Sequence, residues 1–144
     1  MESTLQKPIL NLDITFENAN VYLVNSADAV LVEASGTYIT NDEFKNIFHY
    51  VGSLVISNGI KKLVFDKRTL KIFHQPSMEW YFVVWKEKMY THGLKTYRKI
   101  LPQSSVFRES VRISQEKINK KYPNAKCHNM DIKYSETLEE AINN

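Results

Sequence analysis

Cysteine is nearly absent from this chain: a single thiol, Cys127, stands among 144 residues. That excludes a disulfide framework and a cysteine-built zinc finger, and it suits a reducing cytosol. Glycine and proline are scarce as well, at four each. Collagen-like and low-complexity chains are excluded by those counts. Four scattered glycines also make neither a phosphate-cradling loop nor a dinucleotide fingerprint, and no nucleophile elbow is present. Long apolar runs are missing too. The longest, residues 80–85, is six residues, against roughly 20 for a bilayer span. Residues 1–8 are polar with no apolar run behind them, so no secretory signal is expected, and the expected location is the cytoplasm. The histidines, His49, His74, His92 and His128, contain no i, i+4 pair. Cys127 and His128 are neighbours on what reads as a strand, so they face opposite sides and do not share a metal. No metal and no cofactor is expected.

The chain does hold 43% hydrophobic and 12% aromatic residues, with a net charge of +3. Disorder is thereby excluded, and the length predicts one domain over residues 1–144, with residues 1–9 as a flexible lead. Charge is uneven. Residues 1–60 carry 2 Lys/Arg against 7 Asp/Glu, and residues 61–144 carry 17 against 9. Two solvated faces of opposite sign explain this simply; a dipolar surface for an anionic partner or a second copy is the sharper alternative. Residues 86–133 hold 12 Lys/Arg against 4 Asp/Glu, interleaved with Tyr90, Tyr97, Phe107 and Tyr122. RNA-recognition and KH signatures are absent, so a solvated basic face is expected there rather than a nucleic-acid surface.

The periodicity predicts a leading β meander. Leu10, Leu12, Ile14 and Phe16 alternate, which places them on one strand face. Residues 21–24 and 30–34 flank the turn-prone Asn25-Ser26-Ala27-Asp28. Phe44, Ile47, Phe48, Val51, Leu54 and Val55 then follow helical spacing. Thr40 and Glu43 form a capping box, and Asn58-Gly59 ends the helix. Residues 61–66 read as a central strand. A second helix is expected over residues 76–91, with Met78, Tyr81, Phe82, Trp85 and Met89 as its core stripe and Gly93 at its end. Residues 94–101 read as a strand closed by Pro102. Ser104 or Ser105 caps a third helix toward Tyr122. Met130, Ile132 and Tyr134 alternate as a last strand, and Ser135 caps a short final helix with Leu138, Ala141 and Ile142. Strands alternating with helices predict an α/β domain with a mainly parallel sheet and an antiparallel leading hairpin.

Ligands of open α/β sheets favour the loops after the strand ends. The loop after residue 66 is the most loaded. It offers Asp66, Lys67, Arg68, Lys71, His74 and Ser77 as candidate ligand or partner contacts. Asp66 could act as a base or orient Arg68; equally, it could accept backbone N–H bonds and pair with Arg68 to close the loop. Ser77, at a helix start, is either a phosphorylation site or an ordinary first-turn serine. The second helix is apolar nearly all round, since Trp80, Val83, Val84 and Tyr90 lie outside its stripe. These four predict a covering loop, a homodimer contact or the wall of an apolar pocket.

The run Lys61-Lys62-Leu63-Val64-Phe65-Asp66-Lys67-Arg68, followed by Trp80 and Trp85 and closed by Leu138-Glu139-Glu140-Ala141, resembles the SpoIIAA-like, STAS-type small α/β domains. The resemblance covers most of the chain from about Val21. It implies a mixed sheet flanked by about four helices and a non-enzymatic interaction or regulatory role. In the better-known members a serine after this loop is phosphorylated. Laid on this chain, that serine falls near Gln75, two residues before Ser77, and its Asp-Ser context is missing. The superfamily also resembles lipid-binding domains. The alternative is therefore a binding protein for a small apolar or amphiphilic anionic ligand, held between helix two and residues 72–73. Its basic rim would be Lys67, Arg68 and Lys71. A homodimer, or another protein partner, is expected at the Trp80 face. No catalytic constellation emerges.

Overall fold

The computed structural model of the protein describes residues 9–72 and 74–144. Residues 1–8, most of the expected flexible lead, and Phe73 lie outside the described residues. Strands β1 (Asn11–Phe16), β2 (Ala19–Val24) and β3 (Ala29–Ala34) form the antiparallel meander expected. The β2–β3 turn closes with Asp28 in the left-handed region at φ 47°, which a short polar side chain tolerates. Strands β4 (Lys62–Asp66), β5 (Thr96–Ile100) and β6 (Asp131–Tyr134) add in parallel, so the six strands lie in sequence order. Helix α1 (Asn41–Asn58) links β3 to β4. Helix α2 links β4 to β5 and runs unbroken through Gln75–Trp80, Tyr81–Trp85 and Lys86–Thr91. Helix α3 (Ser105–Lys121) precedes β6, and the short α4 (Leu138–Asn143) follows it. The chain is thus an α/β domain with a mixed sheet, an antiparallel start and four principal helices.

The two sheet faces are covered unequally. Side chains of α1, α2 and α3 join Val21, Val30, Val32, Leu63, Phe65 and Tyr97 in one large core. The other face packs Leu31, Val64 and Ile100 against Ala141 and Ile142 of α4. A helix of six residues holds there because cations grip its carboxyl end. Lys62 Nζ donates to the Ile142 carbonyl at 2.7 Å, and Arg98 Nη2 donates to the Asn144 carbonyl at 3.1 Å. Positive charge at a helix carboxyl terminus meets both the open carbonyls and the dipole.

Four local expectations are corrected. First, the β1 alternation breaks at a bulge between Leu12 and Ile14. The extra residue, Asp13, shifts the pleat by one. Leu12 then pairs with Tyr22 and is exposed, Leu10 packs on the α4 face, and Ile14 and Phe16 turn to the larger core. Second, only half of the capping box forms. Thr40 Oγ1 accepts from the Glu43 N–H at 3.2 Å, but the Glu43 carboxylate takes the Asn18 backbone N–H and Nδ2, at 3.1 and 2.8 Å. It ties α1 to the β1–β2 turn instead. Third, Cys127 and His128 sit in a 3-10 turn, Lys126–Asn129, and not on a strand. Fourth, α4 is capped by Thr137, whose hydroxyl accepts from the Glu140 N–H at 3.1 Å, while Ser135 is buried.

The core stripe of α2 is fully buried, as expected. Between Tyr81 and Trp85 the helix widens into a π turn. The wider winding carries Tyr81, Phe82, Trp85 and also Lys86 inward. Helix α1 approaches α2 closely at Gly52. A Cβ there would lie 3.2 Å from both Met89 Cε and Trp85 Nε1. Trp85 is also pinned, its indole N–H donating to the Phe48 carbonyl. Gly52→Val is therefore expected to overpack the α1–α2 contact and lower stability by about 1–3 kcal/mol. Urea unfolding measures this, and an unchanged midpoint would show that the helices can separate without cost.

Candidate functional site

The loop after β4 divides by strand alternation. Leu63 and Phe65 point into the larger core, and Lys67 continues that face. Lys62, Val64 and Asp66 point to the opposite side. Asp66 is buried and closes its own loop. One carboxylate oxygen accepts from the Arg68 backbone N–H and Nε, at 3.1 and 2.9 Å, and the other accepts from Arg68 Nη2 at 2.7 Å. Both oxygens are committed, so Asp66 is a loop clasp and Arg68 its partner, as the structural alternative held. Neither residue lines the cavity beside them. Nor does Lys71, which is exposed and gives its backbone N–H to the Thr37 carbonyl.

That cavity holds about 50 Å³ at the carboxyl end of β4. Its walls are mostly apolar: Phe65, Leu70 and Ile72, with Phe44 from α1, Met78 from α2 and Phe107 from α3. Lys67, His74, Ser77 and Tyr81 supply the polar atoms. The cavity lies between helix α2 and the loop containing Ile72. Of the three expected rim bases, only Lys67 lines it. At the helix start His74 is the cap: Nδ1 accepts from the Ser77 N–H at 3.3 Å. Ser77 Oγ lies 2.8 Å from His74 Nδ1 and donates to Asn41 Oδ1 at 2.9 Å. With Ser77 only 4% exposed, its hydroxyl is locked between α1 and α2.

Behind Lys67 the core contains further amines that the sequence reading passed over. Lys86 is 0% exposed and Lys99 only 2%. Lys86 Nζ has no hydrogen-bond partner and rests on ring faces, 3.5 Å from the Tyr97 centroid and 3.7 Å from that of Phe82. Lys99 Nζ lies 4.5 Å from the Tyr134 ring, and Lys67 Nζ lies 4.9 Å from the Phe65 ring. Burial pushes Lys67 down to about 7, helped by the like charge of Lys99. Burial alone pushes Lys99 down to about 8, and it drives Lys86 well below its ordinary range, with Lys99 and Lys67 adding repulsion. Burial likewise holds Tyr81 and Tyr97 protonated far into alkali. Those two rings meet edge to face at 5.8 Å, and neither hydroxyl closes a hydrogen bond of good geometry. No carboxylate among the described residues offsets the three amines.

A signal for these residues was present. Lys86 stands at i+4 from Phe82 and i−3 from Met89, inside the buried stripe. Lys99 stands two residues from Tyr97, on the same strand face. The basic stretch over residues 86–133 is correspondingly thinner at the surface. It loses Lys86, Arg98 and Lys99 to the interior, and Arg112 is engaged by Glu109 and Glu116.

The outer flank of α2 is mostly covered by the chain itself. Trp80 packs edge-on against Phe44 and His49 under Lys45, and Tyr90 lies beneath Lys95, whose Nζ is 4.0 Å from its ring. Val83 is half-buried, and Val84 is 54% exposed. Among the described residues, no group of three or more His, Cys, Asp or Glu could hold a metal ion, and no helix is long and apolar enough to cross a membrane.

The buried amines make stability depend on pH in an unusual direction. Below about pH 7 both folded and unfolded chains carry a proton on Lys67, and the folded chain bears the full cost of a buried charge. Between that value and the ordinary 10.5, the unfolded chain binds more protons, so stability rises with pH. Lys99 acts likewise from about 8 upward. Stability is expected to climb by a few kcal/mol, on the order of 1.4 per unit of displaced pKa, between pH 7 and pH 10. It should fall above pH 10 as unfolded tyrosines ionise. Urea unfolding across this range should show the climb, and Lys67→Met with Lys99→Met should reduce it to the part that Lys86 contributes. A flat profile in the parent would mean that water reaches all three amines.

Compared with known proteins, the chain matches no family model, no curated protein and no solved structure, so its site is read from geometry alone.

Proposed function

We propose that this domain is a non-enzymatic binding module for a small, mainly apolar molecule that presents one carbonyl or carboxylate oxygen to Lys67. One observation carries the reading. An apolar cavity at the carboxyl end of β4 is lined by a buried amine that no carboxylate among the described residues neutralises. Such a wall offers dispersion contacts to the body of a ligand and one polar anchor to its head. The volume of about 50 Å³ suits a molecule of a few non-hydrogen atoms, or the end of a longer one. The sequence resemblance to STAS-type domains supports a binding role, with occupancy of the cavity as the regulatory input.

A carboxylate binds the protonated amine better than the neutral one. A short branched acid such as isobutyrate is therefore expected to raise the melting temperature more at pH 6 than at pH 8, by the ordinary mass-action shift. Lys67→Met should abolish the effect while leaving the domain folded, because methionine fills similar space without charge. Equal response of parent and variant, or none across a panel of short acids and ketones, would remove the reading.

Contact with a protein partner or a second copy has one observation in its favour, the exposure of Val84 in mid-helix beside the half-buried Val83. Sedimentation at rising concentration tests it. A dimer that Val84→Glu dissociates supports the contact, and a monomer at high micromolar concentration dismisses self-association.

A further inference from the structure

We infer that Lys67 captures carbonyl compounds covalently, forming an imine with a small aldehyde or ketone seated in the β4 cavity. The inference rests on the pocket reading above and deepens it by naming the ligand class. Four features of the site point the same way. Lys67 is only 9% exposed, and it lines the cavity beside Phe65 of β4. Among the described residues, no carboxylate stands near it to hold it as an ammonium ion. The groups that do face it are Lys99 from β5, Lys86 and Tyr81 from α2, and His74 from the end of the loop. The two lysines repel added charge, and Tyr81 stays a neutral phenol. Finally, Phe65, Leu70, Ile72 and Met78 give the position an incoming carbonyl would occupy a mainly apolar lining.

Only the neutral form of an amine attacks a carbonyl. A lysine becomes available for this near neutral pH when it is desolvated or set beside another cation, and Lys67 meets both conditions. The nitrogen lone pair forms the C–N bond while one N–H proton passes to the carbonyl oxygen, giving a carbinolamine. The C–O bond then breaks. The second N–H proton leaves with the hydroxyl as water, and a C=N bond remains. No oxidant, reductant or metal is consumed. Ser77 and His74 stand in the same wall, with Ser77 Oγ 2.8 Å from His74 Nδ1, and supply a hydroxyl and an imidazole that can exchange these protons. The apolar lining then disfavours hydrolysis of the imine.

Reductive trapping tests this directly. The full chain is incubated at pH 6.5 with isobutyraldehyde and cyanoborohydride, and the alkylated lysines are mapped by peptide mass spectrometry. Surface lysines, at an ordinary value near 10.4, are neutral about a thousandfold less often than Lys67 at this pH. Any free α-amine serves as an internal reference. The expected result is one lysine adduct, on Lys67, slowed several-fold by isobutyrate, which has the same shape and no reactive carbonyl. Lys67→Met should lose the adduct. Ile39 also lines the cavity, and Ile39→Trp, which fills it and keeps the amine, should slow labelling at least tenfold with circular dichroism unchanged. Labelling spread over surface lysines without enrichment at Lys67 would overturn the proposal. So would labelling of Lys67 that neither isobutyrate nor Ile39→Trp slows. Isobutyrate raising the melting temperature of a protein that forms no Lys67 adduct leaves the pocket reading standing and ends this one. Failure of both measurements ends both.

Discussion

Three primary amines held away from water set the terms for the middle of this domain. Lys67, Lys86 and Lys99 converge on one face of β4 and β5, and the carboxylates that would ordinarily accompany them are elsewhere. A buried ammonium without a partner is costly by any estimate, and the usual escape is to give up its proton. The surroundings support that outcome. Aromatic faces from Phe65, Phe82, Tyr97 and Tyr134 accept whatever positive charge remains, and the phenols of Tyr81 and Tyr97 stay neutral. The π turn in α2 belongs to the same arrangement, because it brings Tyr81, Phe82 and Lys86 inward together.

On the other side of the sheet the acids are paired with cations. Asp66 is spent on Arg68, and Asp131 accepts from Arg98 at 2.8 Å. Lys62 and Arg98 meanwhile hold the carboxyl end of α4. The sheet therefore separates two electrostatic regimes: paired and hydrogen-bonded ions beneath α4, and unpaired amines beneath α2. Placing a cavity on the unpaired side is what turns a stability liability into a reactive position. The same Lys67 next to Asp66 on one face would be an ordinary salt bridge.

Much of the architecture was legible in the chain. The meander, the capped α1 with Gly59 at its end, the stripe of α2 and the parallel strands after it all follow from local spacing, because each element buries one periodic set of side chains. Three things were not. The bulge at Asp13 depends on pairing with β2, which the β1 pattern alone does not encode. The Glu43 carboxylate chose Asn18, a partner brought near only by the folded β1–β2 turn. Lys86 and Lys99 read as solvated charges, although their helical and strand positions already lay on the buried faces.

By itself, then, the sequence determined the class of fold, the order of its elements and the residue types gathered in the loop after β4. These are local matters, decided by hydrophobic period and by capping and turn residues. The division of that loop was decided by tertiary structure. Strand alternation sent Asp66 and Lys67 to opposite faces, and only the packing of α1, α2 and α3 on one of them removed Lys67, Lys86 and Lys99 from water. Residue type reports charge, but the proton affinity of an amine depends on the dielectric and the partners around it, and those exist only once the layers have closed.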